Sequence, residues 1–276
     1  MKPVQPIIVA HLFPEMLDSL LGVLSSLSEE EWSRPTVCPG WQVKDVALHL
    51  LGVDVSNLSR RRDGYSPPTQ AIRNQGNLRD LINELNTAWV QAGRRISHRL
   101  LCDLIRFAGE QACEYFASLE PFAMGNPVSW AGPDPAPVWL DLTREYTERW
   151  HHQQHIRDAV GRPGLKEPQY FAPVLDTFAR ALPHTFRLTS AADGTLVILT
   201  ISGQAGGRWF LLRQAGRWEL FSDIARQPDA EVLMDQDLAW RVFTKGIGRA
   251  RALAGTKLRG EPSLGMKVLD MVSIIA

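Results

Sequence analysis

Apolar residues along the first two-thirds of the chain recur every three or four positions, and along the last third they alternate or run together. Leu17, Leu20, Leu21, Leu24 and Leu27 mark one face of an amphipathic helix. Ser28 followed by Glu31 is a capping box that opens a second, short turn. Arg34 to Gly40 reads as a loop, with Pro35, Pro39 and Gly40 breaking any regular pattern. A helix resumes at Trp41 and places Val43, Val46, Ala47, Leu50 and Val53 on one side. The pattern from Leu78 to Leu119 is helical, either one kinked helix or two joined near Ser97. Pro121 to Pro137 reads as a loop, and Val138 to Val160 as a helix stopped by Gly161-Arg162-Pro163-Gly164.

These four main helices with short connections predict an antiparallel bundle over residues 1–165. From about residue 195 the period changes. Leu196 to Ile201 is a β-rich run, and Arg208–Leu212 with Arg217–Phe221 reads as a hairpin closed by a glycine-containing loop. Ala230 to Met234 reads as a strand, and Asp237–Thr244 and Ser263–Ile275 as helices. Pro168 to Pro183, itself helical in pattern, bridges the halves. The expected fold is therefore mixed, a helical bundle followed by a smaller α+β domain over residues 166–276.

Thirty basic and thirty acidic residues cancel in a chain of 276. Without a basic surplus there is no electrostatic drive toward nucleic acid or a membrane surface, so neither is expected as a partner. The run Arg60-Arg61-Arg62 is too short to change that and reads as a solvated helix end. Three widely spaced cysteines, Cys38, Cys102 and Cys113, form no disulfide or zinc-ribbon pattern and suit a reducing compartment. The N-terminal segment is broken by Pro3, Pro6 and Pro14 and does not read as a signal peptide, so a cytoplasmic protein is expected, as a monomer or homodimer.

The densest chemistry lies in ERWHHQQH, residues 148–155, which holds three of the seven histidines. On a helix Glu148 and His152 share a face, as do His151 and His155, and either pair has the spacing of a helical metal chelate. A polar face of solvated or internally bonded histidines fits the same spacing. A third ligand must come from elsewhere. His49, among apolar neighbours, is by itself more commonly a core residue than a ligand; His11, His98 and His184 lie in less suitable settings. Cys38 sits at a helix start, where a thiolate is favoured, yet nothing in the local sequence activates it, and it reads as a loop residue.

Residues 31–50, EWSRPTVCPGWQVKDVALHL, resemble the first signature of the mycothiol-dependent maleylpyruvate isomerase family, in the wider group of DinB/YfiT-like metal-binding four-helix bundles. ERWHHQQHIRDAVG, residues 148–161, resembles its second. The C-terminal half, with its Gly-Arg-Trp hairpin and late helix, is similar to the sterol-carrier-like domain many members carry. The resemblance implies a divalent metal, Zn2+ with Ni2+ as the alternative, held by His49, Glu148 and His152. It also implies a low-molecular-weight thiol cosubstrate, and isomerisation or S-transfer on a small electrophilic metabolite. A metal-dependent hydrolase and a noncatalytic metal- or small-molecule-binding protein are the alternatives. His155 stands where the family usually has Asp: it is read as a base, a residue supporting the ligands, or a fourth ligand that closes the site. His151, one step off the ligand face, is expected at the surface. Arg241, or Lys245 nearby, is the family-implied anion binder of the C-terminal half. Trp209 and Trp218 are expected to pack rather than stack on a ligand.

Overall fold

A computed structural model describes residues 1–66 and 78–273. In chain order its elements are β1 (Lys2–Pro3), α1 (Phe13–Ser25), α2 (Glu29–Trp32), α3 (Val43–Asn57), α4 (Leu78–Gly93), α5 (His98–Ser118), β2 (Met124–Pro127), β3 (Pro135–Pro137) and α6 (Val138–Val160). Then follow α7 (Pro168–Ala179), α8 (Leu182–Phe186), β4 (Leu196–Ser202), β5 (Gly207–Gln214), β6 (Arg217–Asp223), β7 (Ala230–Asp235), α9 (Gln236–Phe243), α10 (Arg249–Ala254), β8 (Lys257–Gly260) and α11 (Pro262–Val268). None of the described helices is long and apolar enough to cross a membrane.

The fold is mixed, and the chain forms two compact units. One comprises Ala10–Leu119 with Glu148–Leu165; the other comprises Met1–Val9, Glu120–Thr147 and Lys166–Ala276. The sequence pattern divides the chain once, after residue 165. The structure groups residues 1–9 and 120–147 with the C-terminal segment, so α6 contributes its first part to one unit and its second to the other. Hydrophobic periodicity cannot reveal that division, because it reports which face of an element is buried and not which core receives it.

In the helical unit α5 packs on both α1 and α3, and α4 packs on α3. The long pattern after Leu78 is two helices, and the break falls where Ser97 caps α5 by accepting from the Leu100 N–H. Ser28 and Glu31 form the expected reciprocal capping box of α2. The start of α3 is tied twice over: Asp45 accepts the Gln42 N–H at 3.0 Å and takes a bidentate pair of bonds from Arg94 at 2.8 and 2.9 Å.

The second part of α6 is buried on nearly every side, although it is rich in polar residues. Those side chains dock on backbone carbonyls. Trp150 Nε1 donates to Leu165 O, Gln153 to Met16 O and Gln154 to Gly164 O, at 2.7, 3.1 and 3.1 Å. Arg157 donates to Ser19 and to the carbonyls of Arg162 and Pro163. Buried polar groups are costly unless paired, so this set of bonds fixes the rotation of α6 about its axis. Gly161, at φ 69°, ends the helix in the left-handed conformation that glycine adopts freely.

The other unit is built on a six-stranded sheet of order β1-β6-β5-β4-β7-β8. Only the β4–β7 pair is parallel; β5 and β6 are the expected hairpin. β4 is buried on both faces through most of its length, as its unbroken apolar run requires. The segment from Pro121 to Pro137, expected to be loop, contains the short antiparallel pair β2–β3. The late helix ends at Val268, short of the expected span, and Ile274 to Ala276 lie outside the described residues. Trp209 and Trp218 are buried, with their indole N–H groups donating to Asp176 and Thr189 O at 2.7 and 3.1 Å.

Gly260 closes β8 at φ 74°, and a Cβ there would sit 2.1 Å from the Asp229 carbonyl oxygen. Gly260→Ala is expected to cost about 2 kcal/mol or more, read as a lower urea midpoint for this unit. An unchanged midpoint would show that the β8 turn yields freely.

Candidate metal centre

Two local features of the helical unit present the site. The Arg34–Gln42 loop is closed by Thr36, whose N–H and hydroxyl both donate to Trp41 O at 2.9 Å, and by Val43 N–H donating to Arg34 O. Gly40, at φ 75°, supplies the turn. The loop delivers α3 with His49 nearly two turns in, and the Trp41 ring meets the His49 ring at 5.2 Å, tilted. The second feature is the rotation of α6 described above, which turns Glu148 and His152 toward α3.

The outcome is a compact donor cluster. Glu148 Oε1 lies 3.1 Å from His49 Nε2 and 3.1 Å from His152 Nε2. The two imidazoles meet edge-to-face at 4.6 Å. His49, Glu148 and His152 each offer one ligating atom, and all lie within 4.8 Å of one another. A carboxylate and two imidazoles on facing helices form a donor set suited to zinc and similar first-row ions. His152 Nδ1 is buried and makes no hydrogen bond, a ring nitrogen left available beside the cluster.

The charges in the cluster are mutually dependent. Burial alone would raise the Glu148 carboxyl, but the charge and hydrogen bond of His152, and then His49, hold it well below the usual carboxylate range. Burial opposes the His152 imidazolium as well; the Glu148 charge, with help from Cys38, pushes it up to about 9. His49 is lowered, chiefly by burial and then by the His152 charge. The ionised Glu148 thus favours a proton on the imidazole beside it. A metal ion would take the place of that proton.

The other predicted residues fall as follows. His151, expected at the surface, is buried, and its pKa is lowered to about 3, mainly by burial. The reason lies in α6: in this section the helix has no solvent face, so a residue one step off the ligand stripe still points into the unit. The His151 ring meets the His155 ring at 4.0 Å. His155 is buried too, and its Nδ1 lies 3.0 Å from Cys38 Sγ. Cys38, read from sequence as a plain loop residue, is thus part of the cluster. Its partner is 117 positions away, a pairing that local sequence cannot show. His98 instead stacks flat on Trp32 at 4.6 Å. Arg241 lies on α9 of the other unit, its guanidinium over the Trp240 ring at 4.2 Å. Lys245 there is exposed, with its ammonium donating to Leu269 O at 3.0 Å.

Comparison with known proteins gives a consistent picture. The profile of the mycothiol maleylpyruvate isomerase N-terminal domain matches residues 13–157, just over half of the chain. No curated protein sequence matches. Among solved structures, the mycothiol-dependent maleylpyruvate isomerase superposes with a TM-score of 0.54 at 13% identity, covering 91% of this chain and 92% of that one. A histidine-to-alanine mutant of that isomerase gives a TM-score of 0.54 at 12% identity, with the same coverage. At these identities the structures establish a shared fold.

Proposed function

The chain belongs to the mycothiol maleylpyruvate isomerase family, and on that premise we propose that it is a metal-dependent enzyme using a low-molecular-weight thiol to isomerise a small electrophilic metabolite. The observation that carries this reading is the convergence of His49, Glu148 and His152, with their ligating atoms within 4.8 Å. They come from the two segments that resemble the family's signatures.

In this reading the three side chains would hold one divalent ion, zinc by preference of the donors. When bound, the metal supplies positive charge that lowers the pKa of a thiol and favours thiolate at neutral pH. Glu148 serves as a ligand, so it is not the base. His155, three residues beyond His152 on the same helix, is assigned to accept the proton the thiol loses. The thiolate then adds to the β-carbon of a conjugated double bond, moving its π electrons onto the activating carbonyl. Rotation about the resulting single bond and expulsion of the same thiolate restore the double bond with inverted geometry. No atom is gained or lost overall. S-transfer on the same scaffold would differ in which group leaves.

The test uses the full chain with Co2+ as the bound ion. Mycothiol is expected to perturb the cobalt absorption and to support cis–trans isomerisation of maleylpyruvate, with bacillithiol and glutathione as comparisons. Indifference to all three thiols would overturn the proposal. Bound metal without any thiol response would favour the second reading, a water-activating hydrolase or a metal-holding protein, to which a chain-borne thiol beside the cluster already lends some support.

A further inference from the structure

We propose that Cys38, His152 and His155 form a second, sulfur-containing metal-binding set beside the first, suited to a soft or borderline ion such as Zn2+, Cd2+ or Cu+. The three ligating atoms lie within 4.8 Å of one another, a spacing that modest side-chain motion closes around one ion. Cys38 Sγ and His155 Nδ1 are already 3.0 Å apart. One thiolate and two imidazoles favour these ions over hard, oxygen-seeking ones. This combination differs from the carboxylate-containing first set in both charge and softness.

Three observations show that the set is built into the structure. The Cys38 loop is held by its own hydrogen bonds: Cys38 N–H donates to Thr36 Oγ1 at 3.2 Å, and Trp41 N–H donates to Cys38 O at 3.0 Å. His155 is buried in a helix whose rotation is fixed by the docking of Gln153, Gln154 and Arg157. His152 brings a buried ring nitrogen with no hydrogen-bond partner. The thiol and the His152 imidazole are both partly exposed beside the buried His155, which leaves a route for an ion to enter.

His152 belongs to both sets, and His155 is the base of the proposed reaction, so the two positions are coupled and an ion at the sulfur position would occupy that base. An imidazole has two nitrogens, and engaging one ion on each would let both positions fill. The sulfur position stands whether or not the chain is a thiol-dependent isomerase, because none of its geometry depends on a cosubstrate.

The experiment is titration of the full chain with Co2+, followed by the ligand-to-metal charge-transfer absorption that a cobalt–thiolate bond gives, with Cd2+ as a second probe. The expected result is a thiolate band that persists in His49→Ala and disappears in Cys38→Ser. Cys38→Ser should bind one equivalent fewer than the unaltered chain, and circular dichroism serves to confirm that both variants fold. Absence of a thiolate band at saturating Co2+ would overturn the proposal. So would a band lost together with all metal in folded His49→Ala, since that would place Cys38 and His49 on a single ion. Failure of the thiol-dependent reading alone leaves this band in place, so the two outcomes are distinguishable.

Discussion

Alanine at position 152 is expected to lower the chain's affinity for Zn2+ or Co2+ by more than about 100-fold, the upper range seen when a group supporting a ligand is lost. His152 is the one side chain common to both donor sets, and its Nε2 lies 3.1 Å from the Glu148 carboxylate. His49→Ala should lose the first position and keep the second; His152→Ala should leave neither with three donors. Metal retained after purification and competition with a chelator are the measurements. The variant also withdraws the imidazole partner of the half-buried Glu148 carboxylate, so a thermal melt must accompany them. His152→Asn retains polarity and serves as the better-folded control. Stoichiometric metal in folded His152→Ala would remove the basis for both positions.

How this site could be read in advance depends on the kind of signal each residue gives. Glu148 and His152 are four apart on a helix whose end is marked by Gly161, and the helix runs over the expected residues, Val138–Val160. Local spacing therefore suffices to pair them. His49 has no such local partner, and among apolar neighbours it looks like core; only the resemblance of its surrounding segment to a family signature singles it out. Cys38 lies in that same segment, but no local partner gives it a role and it reads as a loop residue. Its significance arises from a single long-range approach, to a histidine standing where the family usually has Asp.

The same distinction applies to the fold. The capping box at Ser28, the hairpin of β5 and β6 and the doubly buried β4 are all written in short stretches. The pairings of β1 with β6 and β8 with β7 join edge segments of two and four residues, too short for any period to emerge. His151 is buried against the sequence expectation for a related reason. A helix stripe predicts a solvent face only when solvent is on the other side, and here polar side chains docked on carbonyls let α6 be surrounded.

The pair Asp54–Arg149 should control the stability of the helical unit as His152 controls its chemistry. Asp54 on α3 and Arg149 on α6 are joined by a hydrogen-bonded ion pair, with side chains 9% and 12% exposed. The guanidinium also lies 5.6 Å from the Phe13 ring centroid and 5.0 Å from that of Phe116, so it touches residues of α1 and α5 as well. Removing one partner leaves a charge in a space with little water to receive it. Asp54→Ala and Arg149→Ala are each expected to cost about 3–5 kcal/mol. The arginine variant additionally uncovers the Phe13 and Phe116 rings, which meet each other at 4.7 Å. Replacing both, Asp54→Leu with Arg149→Met, removes the desolvation penalty along with the attraction and should recover most of the loss. Urea unfolding followed by far-ultraviolet circular dichroism would measure all three, with a second probe to establish whether the two units unfold together. Single variants that each cost less than about 1 kcal/mol would place the pair with ordinary solvent-screened ion pairs. A double variant no more stable than the singles would mean that the contacts of Arg149 with Phe13 of α1 and Phe116 of α5, and not its charge pairing with α3, hold α6 in place.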